Sequence, residues 1–151
     1  MLLKKMFTCL VVMVAVTSSA FAQDAPVISD EELKKYAVAM DSINDMTEQL
    51  KVTLNEKVKS NENITGTRYN QLSGIIEDEA KLAEANATPE EIAFIKEVLA
   101  LKNEETAKIQ QAFQSLAKEY VGASAFNKIR SALKTDTELK AKYEALLSEI
   151  D

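Results

Sequence analysis

The sequence predicts an all-α fold, an antiparallel helical bundle built from two tandem αα-hairpins, and three observations predict it. Ile92, Ile95, Leu99, Lys102, Thr106, Ile109, Phe113, Leu116 and Tyr120 recur at alternating steps of three and four, which places them on one stripe of a helix. Leu33, Tyr36, Met40, Ile43, Thr47, Leu50, Leu54 and Lys57 repeat that spacing 59 positions earlier. Only three glycines and two prolines punctuate the 151 residues, which leaves little chain for strands or long loops.

Taken in order, residues 1–22 read as a cleaved signal peptide. Lys4 and Lys5 form a basic start, Met6 to Val16 is apolar, and Ala20-Phe21-Ala22 fits the small-x-small cleavage pattern. Cleavage is expected between Ala22 and Gln23, leaving one helical domain over 23–151 in the bacterial periplasm or the medium. The apolar run falls short of the roughly 20 residues that a spanning helix needs. No later stretch is long and apolar enough, so no membrane insertion is expected after cleavage. Cys9, the single cysteine, lies inside the apolar run rather than at its end, which sets lipidation aside.

The chain carries 18 basic and 24 acidic side chains, a net charge of −6, and losing Lys4 and Lys5 makes it two units more negative. Such a chain gains nothing by meeting phosphates, which disfavours nucleic acid and anionic lipid surfaces as partners.

Ser29 followed by Asp30, Glu31 and Glu32 is a helix start: the hydroxyl caps the first turn and Glu32 completes a capping box. The first long helix is expected to run to about Lys59. Ser60 to Thr67 turns the chain, and a second helix carries Tyr69, Leu72, Ile76 and Ala80 on one face, with Leu82 near its end. Thr88 and Glu91 form another box, with Pro89 in the first turn where its missing N–H costs nothing. That third helix extends to about Tyr120. Phe126, Ile129 and Leu133 mark a fourth, over about Ala125 to Lys134. Leu139, Tyr143, Leu146 and Ile150 continue either as a separate short fifth helix or as a kinked extension of the fourth.

The two long stretches read as an internal repeat, over about 29–85 and 88–150. Glu31/Glu90, Glu32/Glu91, Asn44/Asn103 and Thr47/Thr106 are identical at the offset of 59. The block from Ile64 to Leu72 then resembles Val121 to Ile129 at an offset of 57. Each half is a hairpin that exposes an apolar stripe it cannot bury alone, and docking the two closes the core.

The capped Ser/Thr-x-Glu-Glu-Leu/Ile start, the long helix and Arg68-Tyr69-Asn70-x-Leu72 resemble the bacterial domain-of-unknown-function family numbered 4168. Phe126-Asn127-x-Ile129, with Thr135-Asp136-x-Glu138-Leu139 behind it, resembles the end of that domain. The chain departs from the family in having Ile64-Thr65-Gly66 before the turn and Thr137 after the late aspartate. The resemblance implies an exported helical protein and attaches no activity to it.

The chain has no histidine, and its one cysteine leaves with the leader. Thiol catalysis, Ser-His-Asp triads and His-ligated metal or haem are therefore excluded from the remaining domain. The glycines, Gly66, Gly74 and Gly122, lie too far apart for a phosphate loop. Glu77-Asp78-Glu79 is an acidic run, but on a helix its members point apart and read as a solvated face. No cofactor and no metal are expected.

Two constellations remain. Thr47 and Thr106 sit on the seam, each with an asparagine three residues earlier, Asn44 and Asn103. They read as a polar layer fixing register, or else as a pocket for a small ligand. Tyr69-Asn70 and Phe126-Asn127 read as turn clamps, with the ring in the core and the amide capping nearby backbone, or else as a recognition patch. The function expected is a non-enzymatic protein-interaction or structural module of the envelope, self-association and chaperone-like binding included. The alternative is a small-ligand carrier using Thr47 and Thr106.

Overall fold

A computed structural model describes residues 27–150; the leader and its expected cleavage point at Ala22 and Gln23 lie outside the described residues. The order is α1 (Asp30–Lys59), α2 (Gly66–Ser73), α3 (Glu79–Glu84), α4 (Pro89–Ser115), a π-helical turn (Leu116–Tyr120), α5 (Ala123–Ala132) and α6 (Thr137–Ile150). No strand occurs among the described residues, and the fold is an all-α bundle.

Both capping boxes form, with matching geometry. The Ser29 N–H donates to Glu32 Oε2 at 2.9 Å and the Glu32 N–H to Ser29 Oγ at 3.2 Å. The Thr88 N–H donates to Glu91 Oε2 at 2.9 Å and the Glu91 N–H to Thr88 Oγ1 at 3.2 Å. Each box satisfies N-terminal donors that the helix cannot. With its start pinned and its seam apolar, α1 runs about 45 Å at 1.5 Å per residue.

The expected second helix is broken. α2 ends at Ser73, Gly74 to Glu77 turn, and Asp78 caps α3 by accepting from the Lys81 N–H at 3.1 Å. Gly74 weakens any helix passing through it, and Asp78 gains more by capping than by sitting mid-helix. Ile76 consequently packs from a turn, and the acidic run is split by the cap. The C-terminal segment is a separate helix, α6, because Asp136 Oδ1 accepts from the Glu138 and Leu139 N–H groups at 3.0 and 2.9 Å.

α1 and α4 are antiparallel. Lys57 near the end of α1 pairs with Glu97 early in α4 at 2.8 Å, while Leu33, Tyr36 and Ala39 pack with Ala117 and Val121 beyond the end of α4. The core is gathered into two clusters, one at each end of this pair. The first brings α5 and α6 onto the N-terminal half of α1, around Tyr36, Phe126 and Ile129. The second brings α2 and α3 onto the N-terminal half of α4, around Leu72, Leu82 and Ile95. The short helices of each repeat thus pack on the long helix of the other. Between the clusters, Ile43, Met46, Leu50 and Ile109 are only half-buried. The bundle is therefore a two-helix spine capped at both ends, where the sequence suggested one continuous closed core.

Candidate functional site

Each long helix is anchored at its start by a cation from a short helix. Arg68, on α2, donates from Nε to Glu91 Oε1 at 2.8 Å and from Nη2 to Glu91 Oε2 at 3.0 Å. Nη2 also reaches the carbonyls of Ala85 and Asn86 at 3.0 and 3.2 Å. One guanidinium therefore ties α2 to the loop before α4 and to the box that starts it. A planar fork suits this paired-oxygen target as no ammonium could. The Arg68 hydrogen bonds are the first cause, and the Thr88 N–H the second, of holding the Glu91 carboxyl below its ordinary value.

In the other half, Lys128 on α5 donates to the Val27 carbonyl, two residues before the Ser29 cap. Shifted by 59, Val27 falls on Asn86. A cation from a short helix thus holds the lead-in of each long helix. In the sequence Arg68 stands out only as part of a family motif. Its signal there is a lone charge in an otherwise uncharged helix.

Thr47 and Asn44 line an open groove of about 330 Å³ between α1 and α6, with Met40, Ile43, Tyr143 and Leu147. Asn103 and Thr106 do not line it. Thr47 Oγ1 donates to the Ile43 carbonyl at 2.8 Å, the hydroxyl-to-backbone bond of a register layer. Thr47 and Thr106 are both half-buried, whereas Asn44 and Asn103 are exposed. Among the described residues the groove holds one repeat's pair without the other's.

The turn clamps divide. Phe126 is buried, 5.0 Å from the Tyr36 ring and 5.4 Å edge-on to Phe113, and Tyr36 lies 5.7 Å edge-on to Tyr143. Burial pushes the Tyr36 and Tyr143 hydroxyls up. Tyr69 is half-buried beside the second cluster, and burial raises its hydroxyl also. Asn70 and Asn127 are exposed, and their amides make no hydrogen bond among the described residues. The expected amide caps are therefore not formed. Arg68 and Lys128 secure the chain instead, because a charged donor on a carbonyl outweighs a neutral amide.

Among the described residues no three His, Cys, Asp or Glu side chains converge as a metal site, and no helix is long and apolar enough to cross a membrane. No family profile matches the chain, and no curated protein or solved structure is significantly similar to it.

Proposed function

We propose that the chain is a non-enzymatic interaction module of the bacterial envelope, which binds another protein or a second copy of itself along the middle of the α1–α4 spine. The observation that carries this reading is the division of the core. Apolar residues are consolidated at the two ends, while Ile43, Met46, Leu50, Leu54 and Ile109 stay half-buried. A helical seam left half-covered is a surface on which further helices pack. The absence of histidine from the whole sequence supports a binding rather than a catalytic role. Export rests on the leader, and the resemblance to the family numbered 4168 supports it.

The alternative, a small-ligand carrier, draws on the Thr47 groove. Native mass spectrometry of protein purified gently from its own envelope fraction separates the two. A multiple of the chain mass, or a stoichiometric protein adduct, lost in Leu50→Glu, is the expected result. One chain plus a small adduct favours the carrier. A bare monomer at tens of micromolar that also fails to suppress aggregation of unfolded clients overturns the interaction reading.

A further inference from the structure

Further along α1 from the Thr47 groove, a second groove of about 390 Å³ opens where α1, α2 and α4 meet. Its apolar wall is Leu54 and Val58 from α1 and Tyr69 from α2, and its rim carries Lys51 and Lys102. Among the described residues no carboxylate lines it. Four other grooves on the described surface each carry at least one: Asp41 in the first, Glu77 and Glu79 in the second, Asp30 and Glu149 in the third, Asp136 and Glu138 in the fourth. In a chain of net charge −6, a groove with two lysines and no acid is a local reversal of the field.

Lys102 makes this more than a surface accident. It occupies a seam position between Leu99 and Thr106, where the stripe calls for an apolar side chain. It has no ion-pair or hydrogen-bond partner among the described residues. Lys51 pairs with Glu48 at 2.6 Å, but both are exposed, and such a pair yields readily to a competing anion. Gly66, the first residue of α2, also lines the groove, and an added Cβ there would meet nothing within 4 Å. The space is therefore open down to the backbone.

We propose that this groove binds an anionic amphiphile, a fatty carboxylate, with its head between Lys102 and Lys51 and its chain along Leu54, Val58 and Tyr69. The charge favours a carboxylate over a cation, and the apolar wall favours a chain-bearing anion over a small one. The groove shares Leu54 with the spine surface proposed for protein binding, and its occupancy does not require that a protein bind there.

The test uses decanoate as the probe, with decyltrimethylammonium and decanol as the cationic and neutral controls, in calorimetry and amide-resolved NMR on residues 23–151. Decanoate is expected to bind saturably, one per chain, with shifts at Gly66, Tyr69 and Asn70. The two controls should bind at least tenfold more weakly. Lys51→Gln with Lys102→Gln, both exposed and so harmless to folding, should weaken decanoate at least tenfold with an unchanged melting temperature. Lack of saturation, equal binding of the controls, shifts confined to the groove at Tyr143, or full affinity in the lysine variant would each overturn the proposal.

Discussion

Arg68 meets Glu91 through two parallel hydrogen bonds, 2.8 and 3.0 Å long, while Glu91 simultaneously accepts the Thr88 N–H at 2.9 Å. The glutamate is thus both half of an ion pair and half of a capping box. Its side chain is only 11% exposed, so water is a poor replacement for the arginine. Removing the guanidinium leaves a half-buried carboxylate and two loop carbonyls without their donor. Arg68→Ala should lower the unfolding free energy by about 2 kcal/mol, the scale of charge-assisted hydrogen bonds. Arg68→Lys should recover only part of it, because an ammonium cannot fork. Urea denaturation of the three proteins checks the order.

The same contact makes the fold acid-sensitive. Glu91 is held below its ordinary value of 4.5, first by Arg68. A carboxyl depressed in the folded state contributes stability that is complete above its unfolded value and is lost as pH falls through its folded one. Unfolding free energy should therefore drop as pH falls below about 4.5, and the drop should be shallower in Arg68→Ala. Glu32, lowered mainly by the Ser29 backbone hydrogen bond, is untouched by the substitution and contributes to the slope that remains, together with Glu31, Asp78 and Glu104 and the Thr88 N–H still held by Glu91. An equal slope in both proteins would mean that Arg68 does not bias the Glu91 titration.

What the sequence made legible follows from how local the determinants are. Both boxes and the stripe of three and four depend on residues within one or two turns and are readable, whereas the apolar spacing after Asp136 fits a separate helix and a kinked extension equally. The break between α2 and α3 was also local, since Gly74 and Asp78 announce it, but the apolar spacing of Tyr69, Leu72 and Ile76 masked it. The division of the core was not readable in the same way. Which long helix receives Leu72 or Phe126 depends on contacts far apart in sequence, and the repeat alone is compatible with either exchange. Arg68 shows the same limit, because its partners Ala85, Asn86 and Glu91 belong to a different helix start.

Two glycines should respond oppositely to alanine. Gly66 has ordinary helical geometry and open space at its Cβ position, so Gly66→Ala should stabilise by about 0.5 kcal/mol through the unfolded chain. Gly122 precedes α5 at φ 92° and ψ 127°, a region that side chains rarely adopt. Gly122→Ala should destabilise by about 1–3 kcal/mol even though nothing crowds its Cβ position. Thermal melts of the two variants measure the contrast directly.

Thr47 and Thr106 test whether the mid-spine layer is structural. Thr47 donates to a carbonyl that the helix already uses, so its hydroxyl adds little. Thr47→Val with Thr106→Val should keep the fold and raise the melting temperature, by a gain of about 0.5–1 kcal/mol from half-buried methyl groups. A large loss of stability in the melt would show that the hydroxyls are structurally required.

The turn motifs separate a packing role from a recognition role within adjacent residues. Phe126 is 5% exposed and touches the Tyr36 and Phe113 rings, so Phe126→Ala should cost about 3–5 kcal/mol by leaving a cavity in the first cluster. Asn70 and Asn127 are exposed with amides unbonded among the described residues, so alanine at either should shift stability by less than about 0.5 kcal/mol. Conserved melting in Asn70→Ala, combined with loss of the oligomer or adduct seen by native mass spectrometry, would assign that amide to recognition. Conserved melting with an unchanged mass would remove it from the protein interface, because a side chain whose loss leaves both the fold and the complex intact contributes to neither.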